Sequence, residues 1–412
     1  MEYYFIIALS GWLCVELILF LLFKWLRSDF QWLIMGADKT PVLNKKALEK
    51  FLKKGMDSEL GWVRKPYTSG REKGRDGKKT QFTINKYGAR SNPGYDNRES
   101  RISLFGDSYA FGRQVDNNQT WAHLVSKELD ENILNFGVGN YGLDQALLRL
   151  EREQKKRDSD LYIILVVPET ICRVQSVWKH YSEYGNTFAF KPRFKLKKGK
   201  LVLFPNIINQ KKKYRNYVDY LDDIKGHDYF FKSKFLKDIL TFPYLYSFSR
   251  SIKRNAPLIL SLLYAKVKLH LLCEFKKEKK VLDRPFQKIL KNNHLVSMSL
   301  YKNQGSINLM NALVSKGKTL ADLSNSKFLF CIVPQVQDLE LIKVHGTYYK
   351  DFMKNLESHT NILDLTNVLI SQDDIRKCYT HDMYGGHLSK LGNEIVSKLI
   401  AKKVRSIMTT EV

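Results

Sequence analysis

The chain has 412 residues, 44% of them hydrophobic and 27% charged, with a formal net charge of +26. That composition describes a bulk that is soluble and globular with a substantial core, and the length fits two or three domains or one large domain with an insertion. The five cysteines (Cys14, Cys172, Cys273, Cys331, Cys378) are scattered, form no CxxC pair and share no Cys/His metal spacing, so neither a disulfide framework nor a metal site is indicated.

The first predicted element is a membrane anchor. Tyr3 to Phe23 reads "YYFIIALSGWLCVELILFLLF", with Glu16 as its one ionisable group. A helix of that length rises about 30 Å, the thickness of a bilayer core. No small-residue cleavage site follows, since Lys24, Trp25, Leu26 and Arg27 come next, so a retained anchor is expected rather than a cleaved leader. Glu16 is costly in lipid unless protonated or paired, for instance with another helix. Lys24, Arg27, Lys39, Lys45, Lys46, Lys50, Lys53 and Lys54 all follow the anchor. The positive-inside rule therefore puts the large domain in the cytoplasm, on the inner membrane, with a periplasmic domain as the alternative.

Residues 28–60 read as helical and basic, and 61–100 as a β-rich collar dense in Gly, Pro, Asn and Lys, with a short strand at "TQFTIN". A βαβ rhythm then opens. "RISLF" is a strand, 119–129 a helix, "NILNFG" a strand, 143–156 a strong helix and "DLYIILVV" (160–167) a buried strand. Short apolar strands alternating with amphipathic helices predict a parallel sheet covered on both faces. The rhythm breaks after about residue 175. "KPRFKLKKGKLVLFPNI" predicts a hairpin turning at Lys198-Gly199, and a Tyr-, Phe- and Lys-rich helical region runs to about 325. Within it, 256–272 is expected to be a lid or core helix, with an interfacial helix as the alternative. The rhythm resumes with "KFLFCIVPQV" (327–336), "TNILDLT" (360–366) and a C-terminal helix through "NEIVSKLIAKKV". The chain thus divides into an anchor at 1–27, a collar at 28–97, a sheet domain at 98–175 and 326–412, and an insertion at 176–325. The basic patches at 193–200, 210–215 and 275–280 suit anionic lipid headgroups or an anionic glycan. No nucleic-acid-binding motif accompanies them, and neither a nucleic-acid partner nor a cofactor is expected.

Sites in open α/β sheets lie outside the carboxyl ends of the strands. Ser108, in "LFGDSYAFG", falls there, as a nucleophile awaiting a base or as part of an Asp-Ser helix cap. The candidate base is His387, in "THDMYGGHLSKLGN", on a loop at the head of the last helix; His381 is the weaker alternative.

"GDSYAFG" together with the late "HLSKLGN" resembles the SGNH hydrolases, or GDSL esterases and lipases, over about 98–175 and 326–405. The resemblance implies a flavodoxin-like three-layer α/β/α fold that hydrolyses or transfers acyl groups on lipids and glycans. It implies Ser108 as nucleophile with Asp107 as its structural partner, and an oxyanion hole from the amides of Ser108 and the Gly139/Asn140 region, in "NFGVGNYGLDQ". The family's third block ends a strand with an asparagine; here "ILVVPETICR" offers Glu169 and Thr170 instead, with Arg173 to pair with Glu169 or bind an anionic substrate. The fourth is Asp-x-x-His; here Tyr384 stands at the acid position, and Asp382, five residues before His387, is the expected acid. The activity implied is a membrane-anchored esterase, deacylase or acyltransferase on an acylated glycan or lipid-linked substrate. The missing asparagine and altered acid spacing leave open a non-catalytic glycan-binding or assembly protein on the same scaffold.

Overall fold

The computed structural model describes residues 1–74, 77–272, 281–382 and 385–409. Cys273, the basic patch at 275–280 and Tyr384 lie outside them. The chain begins with one long helix, α1 (Glu2–Asp29), long and apolar enough to cross a membrane or to serve as a signal sequence. Only Glu16, Phe23 and Leu26 of α1 are buried. The basic stretch after it holds a short 3-10 helix at Gly36–Lys39 and an α-helix at Lys45–Lys54, capped by Asn44, and the collar contributes an antiparallel hairpin of Ser69–Lys73 and Lys79–Thr83.

The sheet is built from β1 (Ile102–Gly106), α2 (Trp121–Leu129), β2 (Ile133–Asn135), α3 (Leu143–Gln154) and β3 (Leu161–Val166). A long excursion follows. It contains a hairpin of Arg193–Lys197 and Lys200–Phe204 that turns at Lys198 and Gly199, both at positive φ, and two long helices, α4 (Ile252–Leu272) and α5 (Asp283–Leu300). The chain returns through α6 (Gln304–Leu323), β4 (Lys327–Ile332), α7 (Val336–His345), α8 (Lys350–Glu357), β5 (Asn361–Asp364) and α9 (Lys390–Thr409). All five strands are parallel, in the spatial order β2-β1-β3-β4-β5, which is the flavodoxin-like doubly wound order. The order reverses between β1 and β3, and in folds of this order ligands bind at that switch point, outside the carboxyl ends of the strands.

Strand residues alternate between two cores because successive side chains point to opposite faces. Phe105, Tyr162, Ile164, Phe328 and Phe330 pack with α3, α6 and α8; Ile102, Leu104, Ile163, Leu165 and Cys331 pack with α2 and α9. The sheet is therefore the middle of three layers. The boundary of the excursion differs from the sequence expectation at its far end. Helix α6 lies on the sheet, burying Leu309, Met310, Leu313 and Val314, with Gly317 giving room to the Phe328 ring.

A third, separate cluster joins the end of α1 to the excursion: Phe23, Leu26 and Phe30 pack with Leu240, Leu258, Ile259, Leu262 and Phe286. Helix α5 connects the two regions. Phe286, near its start, belongs to this cluster, while His294 further along bonds Asp338 of α7 at 2.9 Å. The four described cysteines are free.

Candidate active site

Gly106 closes β1 at φ +147°. A side chain there would collide with the carbonyl of Leu165 on β3, so only glycine lets the chain turn so close to its neighbour strand. Asp107 follows and is fully buried. Its Oδ1 caps the next helical turn by accepting from the Tyr109 amide at 2.8 Å. Its Oδ2 accepts from the Val167 amide at 3.0 Å and from Arg173 Nη1 at 3.2 Å. Burial pushes the Asp107 carboxyl up against the opposing pull of Arg173 and the amides. These bonds hold the turn whose first helical residue is Ser108.

Far along the chain, residues 379–382 and 385–388 run side by side. Tyr379 and Leu388 bridge antiparallel, and Thr380 donates its amide to the His387 carbonyl at 2.7 Å. Gly385 and Gly386 sit at φ +95° and +81°, where a β-carbon would strike Gln337 and the Thr380 carbonyl respectively. The two loops are tied together: Tyr109 Oη donates to the Gly386 carbonyl at 2.9 Å, and the Tyr109 ring lies tilted against His387 at a centroid distance of 4.9 Å. Asn393 of α9 also accepts from the Trp121 amide of α2 at 2.8 Å.

The result is a contact across 279 residues of chain: His387 Nε2 lies 2.9 Å from Ser108 Oγ. The other imidazole nitrogen, Nδ1, lies 3.2 Å from Gln114 Oε1. The same oxygen accepts from the His387 amide at 3.2 Å and from Thr380 Oγ1, while Gln114 Nε2 donates to Asp382 Oδ2. Here the structure differs from the sequence expectation. Asp382 reaches the histidine through an interposed amide, because Gln114 fills the place beside Nδ1. Turned over, the amide would aim its NH2 at the His387 backbone N–H and its oxygen at the Asp382 carboxylate. It therefore presents an acceptor to His387 and selects the tautomer with hydrogen on Nδ1, leaving Nε2 free to accept from Ser108.

Nothing in "FGRQVDN" marked Gln114. Its backbone is left-handed, at φ +65°, a conformation that costs a non-glycine residue about 1–3 kcal/mol and that gathers at functional sites. Glu72 of the collar hairpin holds the loop by accepting from the Gln114 amide at 2.8 Å and from Arg113 Nε at 2.7 Å. His381 is exposed.

His387 is held well below the usual histidine range, first by burial and then by the positive charges of Arg113 and Arg173. Gly139 stands across from the serine, where a β-carbon would lie 4.0 Å from Ser108 Cβ and 3.8 Å from Arg113 Cδ. Among the described residues, neither the Ser108 nor the Gly139 amide is bonded to another group. Asn140, at φ +68°, directs its side chain to Asn186 at 3.5 Å.

The third-block positions are tied into the frame. Thr170 Oγ1 accepts from the Leu143 amide at 2.8 Å, at the start of α3. Glu169 pairs with Arg173 at 2.7 Å, and its carboxyl is held below the ordinary range despite burial, by Arg173, His294 and Lys179. Arg173 thus bridges Glu169 and Asp107 under the nucleophile turn.

The chain matches no family model and no curated protein. Among solved structures it is similar to a protein from Desulfitobacterium hafniense DCB-2 provisionally described as lipolytic, of the G-D-S-L family. That likeness has 10% identity, covers 74% of this chain and 99% of that one, and has a TM-score of 0.33.

Proposed function

We propose that the protein is a membrane-anchored, SGNH-type serine esterase or acyltransferase, with Ser108 as nucleophile and His387 as base. The observation that carries this reading is the 2.9 Å contact between Ser108 Oγ and His387 Nε2, with Nδ1 facing the locked acceptor of Gln114. His387 takes the serine proton as Oγ attacks an ester carbonyl. The amides of Ser108 and Gly139 receive the developing oxyanion. The imidazolium passes its proton to the departing alcohol, and water, or a glycan hydroxyl in a transferase, then attacks the acyl-serine by the reverse route.

The neutral Gln114 orients the imidazole without adding a charge beside it, and the Asp382 carboxylate behind it acts through that amide. Arg113 disfavours the imidazolium and favours an oxyanion or an anionic substrate group at the same mouth. Removing one oxyanion donor typically costs about 10²–10³ in rate, so the absent third-block asparagine favours a slow hydrolase or a transferase with a tightly held acceptor. The anchor, the basic charge and Arg113 support an anionic, acylated glycan or lipid-linked substrate at the membrane. The cations that follow α1 support a cytoplasmic domain; alkaline phosphatase activity from a reporter fused after Val412 would place it outside instead.

The test is labelling of the purified full-length protein by a fluorophosphonate, with Ser108→Ala as control and p-nitrophenyl acetate turnover measured alongside. Labelling that is lost in Ser108→Ala supports the enzyme. A wild type that neither labels nor turns over the ester leaves the second reading, a glycan-binding or assembly scaffold, which the structurally occupied third block favours.

A further inference from the structure

Glu16 lies in the middle of the apolar helix α1, and its carboxylate is almost fully buried. Its partners are backbone amides: Oε1 accepts from Leu245 at 3.1 Å, and Oε2 accepts from Tyr244. These amides open the short helix Tyr244–Ser249, directly after Pro243. In lipid, a lone carboxylate and two orphan amides are each costly, and joined they satisfy one another. Aromatic contacts extend the seam along α1. Trp12 meets Phe242 at 5.6 Å between ring centroids, and Phe20 meets Tyr244 at 5.7 Å.

This seam fixes a depth. Glu16 stands about 10 Å along the helix axis from Phe23, on the side of the chain start. If α1 spans the bilayer over Tyr3–Phe23, the segment 242–246 is dipped into it. The outward side chains fit that environment: Phe242 and Tyr246 are about 57% and 63% exposed, and Leu245 is exposed beside them. Helix α4 continues the same surface. Its buried side, with Leu258, Ile259 and Leu262, packs in the cluster under α1, and Lys266 pairs with Asp29 at the end of α1. Its outward stripe is Leu260, Tyr264 and Val267, at spacings of four and three residues, with Lys253 and Lys268 exposed at the two ends. An apolar stripe with cationic ends, continuous with an anchor, is the pattern of a helix lying in a headgroup boundary.

We propose that residues 242–246 and the outward face of α4 form a second, monotopic membrane contact: a wedge that docks the excursion into the leaflet beside the anchor, against anionic phospholipid. This rests on the reading of α1 as a span. On this reading, residues 256–272 are an interfacial helix with anionic phospholipid as its partner.

The test uses the full-length protein in nanodiscs of phosphatidylethanolamine and phosphatidylglycerol, with Cys14 and Cys273 replaced by Ser. A nitrobenzoxadiazole probe is placed singly at Ile6→Cys, Leu245→Cys, Leu260→Cys, Tyr264→Cys and the exposed Val344→Cys. With spin-labelled lipid as quencher, the probes at 6, 245, 260 and 264 are expected to lose about half or more of their emission, and the probe at 344 almost none. Three wedge sites keep the result readable if one variant misfolds. Quenching at 6 without quenching at 245, 260 and 264 overturns the wedge while the anchor stands. The wedge falls equally if those sites are shielded from solvent yet unquenched, as under a protein partner or a second copy. Absence of quenching at 6 overturns the anchor reading and the wedge with it.

Discussion

Asp107 and Glu16 are both buried carboxylates, and the two regions that hold them treat the charge differently. At the carboxyl end of β1, Asp107 meets two backbone amides and a guanidinium, and that guanidinium in turn meets Glu169. Beside α1, among the described residues, Glu16 meets only the amides of Tyr244 and Leu245. The first arrangement is a charge network woven through β1, β3 and the turns that follow them, and it fixes the turn that carries Ser108. The second is a single clasp between two helical segments and fixes how one lies on the other. On the proposed function, removing a member of the first network should cost catalysis, and removing the clasp should cost local stability.

The largest effect that this contrast predicts is at the Ser–His contact. His387→Ala should lower ester turnover by about 10⁴-fold or more while leaving the circular dichroism spectrum and thermal midpoint near those of the wild type, because the loop is held by backbone bonds. Retained turnover would break the assignment of the site to this end of the sheet.

Gln114 comes next. Gln114→Ala should reduce kcat by about 10²-fold with little change in KM, since it frees the imidazole without touching substrate. Asp382→Ala should cost about 10-fold by the same route, because it only unlocks the amide. An Asp382 effect larger than that of Gln114 would mean that the carboxylate acts on His387 directly.

The pH profile sharpens the electrostatics. Protonated His387 cannot accept the serine proton, so kcat/KM falls as pH drops through its pKa. Because burial, Arg113 and Arg173 lower that pKa, the acid limb should lie well below pH 6.5. Arg113→Gln removes a charge that opposes the imidazolium and should move the limb upward. A limb unmoved by that substitution would place Arg113 too far away to matter.

The smallest catalytic effect belongs to the other region. Glu16→Ala strands two amides and should loosen residues 240–250 by about 1–3 kcal/mol, read by hydrogen exchange in nanodiscs, while turnover of a soluble ester stays within about twofold. Glu16→Gln, which keeps an acceptor, should recover most of the protection. A catalytic loss as large as that of Gln114→Ala would show that the regions are coupled, with α5 as the route between them.

Much of the sheet domain was legible because its signals are local. Apolar runs of five to eight residues alternating with amphipathic helices produce β1 to β5 with their helices, and glycines next to Ser108 and His387 mark turns where side chains do not fit. The long apolar helix at the N-terminus was legible for the same reason, as a continuous run with one carboxylate. Three things came only from the folded chain. Helix α6 joins the sheet layer because the packing of Gly317 on Phe328 is a pairing between elements, invisible in either alone. Gln114 stands beside His387 because the left-handed turn after Gly112 and the grip of Glu72 bring it there; its sequence context is that of any polar loop. And the partner of Glu16 lies 228 residues away, in two backbone amides that carry no side-chain signature at all. Sequence periodicity determines which faces are buried. Which distant polar groups meet there depends on the strand order and on the loops that it brings to one edge.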